Sequence, residues 1–169
     1  MTFSGQSGFK NVVVKFDQSE IDNGINALGG VNFSESRNGG RIDVRLNADG
    51  YYGKGLRVEV TLEGPASYAL VALGFGKLDV SDYTHVSFVV RGAHGDEDAL
   101  VYLNDGKRRA ALPLGRYIGV TKMWRKVRIP LRDFEEKGVD LSHLSQLVLA
   151  WESAPVRGRV LYFDDFAFE

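Results

Sequence analysis

The sequence contains no cysteine among its 169 residues. This absence excludes disulfide bonds, cysteine nucleophiles and zinc sites that use thiolate ligands. An excess of charge of either sign is also missing, because 21 lysines and arginines stand against 22 aspartates and glutamates. Charge therefore gives no indication of a nucleic-acid or anionic-membrane partner, and we expect neither.

Long hydrophobic runs are absent as well. No apolar stretch approaches the length of a transmembrane helix, and residues 1–8 lack the basic start and apolar core of a secretory signal. The sequence therefore predicts either a cytoplasmic protein or a module excised from a longer chain. Its length and its 44% of hydrophobic residues suit one domain, so we expect residues 1–169 to form a single domain with 1–10 as a loose lead-in.

Alternating apolar and polar residues dominate the chain and are typical of β-strands. Twenty glycines and turn signals such as Asn104-Asp105-Gly106 separate the alternating segments. One stretch, residues 131–138, reads as a short helical turn that ends at Gly138. We predict an all-β fold, an antiparallel β-sandwich of two sheets with one short helical turn. The predicted strands are residues 11–17, 40–48, 55–63, 68–74, 85–91, 99–104, 124–131, 146–151 and 159–168.

Two adjacent carboxylates interrupt the aromatic-rich closing strand. Side chains alternate between the faces of a strand, so Asp164 and Asp165 are predicted to lie on opposite faces. Asp164 would share the more apolar face with Tyr162, Phe166 and Phe168, which predicts that Asp164 points inward. A carboxylate in such a place requires a partner, and a metal ion or an arginine are the usual ones.

Several strands combine a core face with a second face of mixed polarity. Alternation places Arg91, Tyr102, Gln146 and Glu152 on such mixed faces. Together they suggest a concave platform for a ligand. An ordinary solvated sheet face is the alternative.

Five segments, in this order and spacing, resemble a known class of domains. They are residues 26–30 (NALGG), 52–56 (YGKGL), 78–88 (LDVSDYTHVSF), 124–134 (WRKVRIPLRDF) and 161–166 (LYFDDF). The series resembles galactose-binding-like β-jelly rolls, in particular carbohydrate-binding modules of the family 11 kind and the related domain of the complex I intermediate-associated proteins. The resemblance extends over nearly the whole chain.

The resemblance implies a non-catalytic jelly-roll module that binds β-linked glucan chains in a groove on one sheet. Such a module would target an appended glycoside hydrolase, its parent enzyme in cis, to polysaccharide. It would be a monomer and would be extracellular as part of a secreted bacterial enzyme. The resemblance also leaves a protein-interaction domain of the complex I intermediate-associated type as an alternative.

The resemblance further implies a structural calcium ion between the first and last strands. The corresponding ligands in this sequence are Asp17 and the pair Asp164 and Asp165, and Asn47 or Asp49 would add another oxygen. The alternative is that Asp164 pairs with an arginine and Asp165 is solvated. No contiguous calcium-binding loop is present in the sequence.

Sugar binding requires flat aromatic faces and planar polar groups, which together define a candidate set. A tyrosine taken alone is more often packed against the core than used for a ligand, so the set is more persuasive than its members. Trp151 shares its parity with apolar neighbours. The predicted ligand-binding residues are Tyr51, Tyr52, Tyr68, Arg91, Tyr102, Asp105, Arg109, Gln146, Trp151 and Glu152.

An enzymatic function finds little support in the sequence. Glycosidases require two carboxylates across a cleft, and no pair is singled out here. The three histidines show no metal-binding spacing, and no nucleophile elbow or phosphate-binding loop occurs. For a protein partner, the discriminating feature would be a flat aliphatic patch of Val89, Leu100 and Val148 in place of a groove lined by tyrosines.

Overall fold

The computed structural model of the chain describes residues 11–14, 30–47, 50, 51, 53, 55–153 and 155–169. Asp17, Asp49 and Tyr52 therefore lie outside the described residues. Within the described part the chain forms two antiparallel β-sheets that enclose one hydrophobic core. The strands are β1 (Asn11–Val14), β2 (Phe33–Arg37), β3 (Gly40–Asn47), β4 (Gly55–Leu62), β5 (Tyr68–Leu78), β6 (His85–Gly92), β7 (Leu100–Asn104), β8 (Arg109–Pro113), β9 (Arg125–Pro130), β10 (Leu144–Glu152) and β11 (Val156–Phe168).

The predicted all-β antiparallel sandwich is confirmed, including its short helical turn, α1 (Arg132–Glu135). Two strands were not predicted. Phe33–Arg37 carries a single apolar residue, and Arg109–Pro113 combines two alanines with a terminal proline, so neither has the β-branched or aromatic composition typical of strands. Both are edge strands, which pair on one side only.

The two sheets draw on strands that are far apart in sequence. The six-stranded sheet has the order β3-β4-β11-β6-β9, and β1 pairs with the end of β11. The five-stranded sheet has the order β2-β5-β10-β7-β8. No helix in the described part of the chain is sufficiently long and apolar to span a membrane.

Core residues alternate along each strand, as half-buried sheets require. On β4, Val58, Val60 and Leu62 are fully buried, while the residues between them are partly exposed. Aromatic rings fill the centre of the sandwich, where Phe88 stacks on Phe166 with ring centroids 4.9 Å apart. The inward faces of the sheets are thereby used for packing, which leaves the outward faces for other roles.

A β-bulge in β11 overturns the predicted face of Asp164. Asp164 pairs with Val89, and Ala167 pairs with Ser87. Two residues therefore lie between these pairs on β11 but only one on β6, which is the signature of a bulge. The backbone of Asp165 accommodates the extra residue by adopting a φ of 53°. Phe163 and Phe166 consequently both face the core. Asp164, one position from Phe163, points to the outward face, and the prediction that it shares a face with Phe166 and Phe168 is wrong.

Candidate functional site

A groove crosses the outward face of the five-stranded sheet. Its volume is about 390 Å³. The lining combines three aromatic rings, small or aliphatic side chains, and polar groups from all five strands. These residues are Phe33, Glu35, Tyr68, Leu70, Tyr102, Asn104, Arg109, Gln146, Val148, Ala150 and Glu152.

Strand register explains why these side chains meet. Phe33 lies opposite Ala72, Ala72 opposite Val148, and Val148 opposite Tyr102, so one row of side chains crosses four strands. Small side chains at Ala72 and Ala150 keep the floor low, whereas Phe33, 42% exposed, and Tyr102 rise on either side. With strands about 4.8 Å apart, the two rings stand roughly 14 Å apart across the groove.

One end of the groove is organised around Tyr68. Its hydroxyl donates a hydrogen bond to Oε1 of Glu35 at 2.6 Å, and Glu35 also accepts from Arg37 at 2.6 Å. The hydrogen bond to Glu35 raises the pKa of Tyr68 above its usual value, because the carboxylate favours the protonated phenol. The ring of Tyr68 is thus held in place on the floor of the groove.

Tyr102 is held in the same way on the other side. Its hydroxyl donates to Oε1 of Glu152 at 2.9 Å, and the Arg109 guanidinium lies 5.8 Å from its ring centroid. Burial and the hydrogen bond to Glu152 both raise the pKa of Tyr102. Next to it, the Asn104 side-chain amide donates to Gln146 Oε1 at 3.2 Å.

This arrangement suits a ligand that has both flat apolar faces and many hydroxyl groups. The rings of Tyr68, Tyr102 and Phe33 present apolar surface, and the carboxylate and amide groups between them can accept and donate hydrogen bonds. The two carboxylates, Glu35 and Glu152, each accept a hydrogen bond from a tyrosine. The groove can therefore hold such a ligand by stacking and hydrogen bonding.

Five of the predicted binding residues meet in the groove: Tyr68, Tyr102, Arg109, Gln146 and Glu152. Six lining residues were missed. Two of them, Phe33 and Glu35, stand two positions apart on β2, so recognition of that strand would have placed them on one face. The others are Leu70, Asn104, Val148 and Ala150, each of which alternates with a core residue on its strand.

Arg91 and Tyr51 lie away from the groove. The predicted single mixed face, with Arg91 beside Tyr102, does not exist, because β6 belongs to the six-stranded sheet and β7 to the other. Arg91 lies over the ring of Tyr162, and Tyr51 contacts Trp124 edge to face. Alternation within single strands gave the correct outward positions, but it contains no information about which sheet a strand joins.

Trp151 and Asp105 have structural partners instead of a place in the groove. Trp151 is 4% exposed and its Nε1 donates to the carbonyl of Asp98 at 2.8 Å. Asp105 accepts backbone N–H groups of Lys107, Arg108 and Asp140, which holds the β7–β8 turn and lowers the pKa of its carboxyl. Both residues therefore stabilise the scaffold around the groove.

The aliphatic residues that would favour a protein partner do not form one patch. Val89 is buried on β6 of the six-stranded sheet, whereas Leu100 and Val148 lie on the five-stranded sheet. Val148 belongs to the floor of the groove.

The predicted metal ligands are only partly described. Asp164 is 7% exposed, and its Oδ1 accepts the backbone N–H of Asp165 at 2.8 Å. Val14, the last residue of β1, pairs with Phe166, and Asp17 follows Val14 by three positions. Within the described residues no group of three or more histidine, aspartate or glutamate side chains forms a metal site. A buried carboxylate at this place fits a hard cation, but calcium requires further oxygen ligands.

Comparisons with known proteins point in one direction. The family model of carbohydrate binding domain 30 matches residues 9–169. The chain is similar to a family 11 carbohydrate-binding module from Clostridium thermocellum, solved with a β-1,3-1,4-mixed-linked tetrasaccharide, with a TM-score of 0.68 and 15% identity over 81% of this chain and 87% of that one. A family 30 module of a cellulosomal cellulase from the same organism gives a TM-score of 0.66 and 21% identity over 83% and 91%.

Another family 30 module gives a TM-score of 0.66 and 23% identity, over 81% of this chain and 92% of that one. No curated protein matches the chain. The resemblance predicted from the five sequence segments is thereby confirmed, and the jelly-roll fold agrees with these solved modules.

Proposed function

Because the chain belongs to the carbohydrate binding domain 30 family, whose model covers residues 9–169, we propose that it binds β-linked glucan chains in the groove of the five-stranded sheet. In this proposal the module is non-catalytic and targets an appended glycoside hydrolase to polysaccharide outside the cell. The observation that carries the proposal is the pair of groove tyrosines, Tyr68 and Tyr102, each oriented by a glutamate.

The solved relatives support the choice of ligand and context. The family 11 module was solved in complex with a β-1,3-1,4-mixed-linked tetrasaccharide, and the family 30 module belongs to a cellulosomal cellulase. These properties are those of the relatives. Their transfer to this chain rests on its groove, whose aromatic and polar lining matches the requirements of such a ligand.

Binding would proceed through contacts with no bond making or breaking. The apolar faces of successive sugar rings would pack on Tyr68, Tyr102 and Phe33. Each tyrosine hydroxyl already donates a hydrogen bond to a glutamate, so its oxygen remains available to accept one from a sugar hydroxyl. An open groove buries less of a ligand than a closed pocket, and we therefore expect weak to moderate affinity.

We also propose a structural calcium ion at the end of β11. Its ligands would be Asp164 and Asp165 together with Asp17. The burial of Asp164 and the pairing of β1 with β11 at Val14 and Phe166 support this proposal. The ion would hold the first strand against the last and would have no part in sugar binding.

The glucan proposal is tested by affinity electrophoresis on gels that contain mixed-linked β-glucan, xyloglucan or mannan. We expect retardation on at least one β-glucan. Tyr102→Ala should weaken that binding by roughly ten- to hundredfold, about 1.4–2.8 kcal/mol, because it removes a stacking surface from the groove. Isothermal titration with soluble oligosaccharides measures the change.

Tyr51→Ala is the matched control, since Tyr51 is an exposed tyrosine in the loop between β3 and β4, two strands of the other sheet. It should leave glucan affinity unchanged. The absence of retardation on every glucan would disprove the proposal. Loss of folding in Tyr102→Ala, seen by circular dichroism, would show that Tyr102 serves the scaffold.

A further inference from the structure

A row of arginine and aromatic side chains crosses the outward face of the six-stranded sheet, opposite the groove. Register places Arg45 beside Arg57, Arg57 beside Tyr162, and Tyr162 beside Arg91. Trp124, the residue before β9, extends the row, since its ring centroid lies 5.3 Å from the guanidinium carbon of Arg91.

Arg91 differs from the other two arginines in its partners. Arg45 and Arg57 each form an ion pair with a carboxylate of their own strand, at 2.6 and 2.7 Å. The guanidinium of Arg91 instead lies over the ring of Tyr162, 3.8 Å from its centroid, and close to the ring of Trp124. Within the described part of the chain it has no ion pair, so no carboxylate among these residues neutralises its charge.

Stacking on rings leaves the binding capacity of a guanidinium intact. A guanidinium that lies over a ring contacts it through the face of its plane, which leaves the N–H groups at the edge of that plane available to an acceptor. This fork of N–H donors matches the two oxygens of a carboxylate. Arg91 is half-buried, so the rings fix its position while part of it remains accessible.

Apolar surface adjoins this cation. Trp124 contacts Tyr51 edge to face with centroids 6.0 Å apart, and Tyr51 is 43% exposed. The preceding residue, Met123, is 74% exposed. A ligand that fits here requires a carboxylate next to a flat, partly apolar ring, and among sugars this combination occurs in uronic acids.

We propose that the Arg91 cluster, consisting of Arg91, Tyr162, Trp124 and Tyr51, binds a uronic acid residue of an acidic glycan. Arg91 pairs with the sugar carboxylate, and the rings of Trp124 and Tyr51 contact the sugar ring. The two faces of the sandwich then differ in charge preference. The groove contains two glutamates and suits neutral glucans, whereas the Arg91 cluster presents a cation that no described carboxylate pairs with.

The test compares one oligosaccharide that carries glucuronic acid with the same oligosaccharide after reduction of its carboxyl group to an alcohol. Binding is followed by the NMR shift of the Trp124 indole N–H. We expect the acidic form to bind at least tenfold more tightly, and the preference to fall with added salt. Arg91→Gln should abolish the preference, whereas Arg57→Gln, which removes an already paired charge, should retain it.

Equal affinity for the two oligosaccharides, or equal losses in Arg91→Gln and Arg57→Gln, would overturn the proposal. Melting temperatures show whether each variant is folded, and Arg91→Lys, which keeps the charge without the fork, should retain part of the preference. Tyr102→Ala should leave uronate binding unchanged; if it abolished that binding, the acidic sugar would occupy the groove. None of these measurements requires that the groove bind a glucan. Failure of the glucan proposal is therefore distinguishable from failure of the uronic acid proposal.

Discussion

A single carboxylate near the end of β11 illustrates how much one residue contributes to the pH dependence of stability. Glu169 forms ion pairs with Lys126 at 3.0 Å and Arg128 at 3.1 Å. Both cations lie on β9, which is separated from β11 by β6. Burial alone would raise the pKa of this carboxyl, but the hydrogen bond from Lys126 and the charges of both cations overcome that effect and lower the pKa to about 2. Its ionised form is therefore stabilised by the folded state.

The expected pH profile follows from this lowered pKa. The stabilisation is fully present above about 4.5, the usual pKa, and is lost as the pH falls to about 2. Glu169→Gln should cost roughly 1–3 kcal/mol of unfolding free energy at pH 7, with allowance for partial exposure. The cost should shrink steadily as the pH falls below about 4.5.

Urea unfolding between pH 7 and pH 3 measures this difference. Glu63→Gln is the control, because Glu63 pairs with Arg41 on an exposed surface and the pair should contribute little. If Glu169→Gln lowered the unfolding free energy by the same amount at every pH, the lowered pKa of Glu169 would be contradicted. At this scale the sequence allowed outward positions such as Tyr102 and Glu152 to be predicted. It misplaced Asp164, because a single bulge inverts the alternation that follows it.

At the scale of the element, the bulge requires a left-handed backbone conformation at one position of β11. Asp165 has a φ of 53°, which costs an L-residue about 1–2 kcal/mol and a β-branched one more. In the presence of a chelator, which removes any calcium that Asp165 would bind, Asp165→Gly should therefore be neutral or stabilising by up to about 1 kcal/mol. Under the same conditions Asp165→Val should destabilise by about 1–2 kcal/mol or more. Denaturant unfolding compares the two variants.

The same two substitutions at Glu59 provide a control on ordinary strand backbone. Glu59 lies on β4 next to β11, paired with Val160, and there valine should be tolerated better than glycine. An identical order of stabilities at both positions would mean that the bulge does not constrain Asp165.

Element existence was largely predictable, and the exceptions have physical causes. Nine strands were found from alternation, since half-buried strands carry their period in the sequence. The edge strands β2 and β8 were missed, because strands hydrogen-bonded on one side need fewer β-favouring residues. The bulge in β11 could not be predicted, because nothing in the sequence Asp164-Asp165 distinguishes a bulged strand from a regular one.

At the scale of the whole molecule, the groove could be predicted only in part. Its lining comes from five strands between Phe33 and Glu152, and their order in the sheet depends on long-range pairing that no local pattern records. Residues such as Arg91 have the right chemistry and the right parity but belong to the opposite sheet. Sheet assignment, more than residue choice, limited the prediction of the site.

The proposed calcium ion is also tested on the whole molecule. A ligand that binds only the folded state stabilises it, by about 2.7 kcal/mol at a concentration of 100 times its Kd. We expect a chelator to lower the melting temperature and added calcium to restore it. Asp164→Asn should remove this response, and Asp43→Asn, which changes an acid of β3, should preserve it. A melting temperature that is insensitive to the chelator would exclude a stabilising calcium ion.

The position of β11 in the sheet has a consequence for how the chain acquires its structure during synthesis. β11 lies between β4 and β6 and also pairs with β1, yet it follows all of them in the sequence. When β1, β4 and β6 have left the ribosome, they therefore cannot form their hydrogen bonds to β11 until β11 is synthesised. Such distant pairings make β-sandwiches slow folders, on the order of milliseconds to seconds. We expect the earlier strands to remain open to chaperones until β11 emerges and completes the six-stranded sheet.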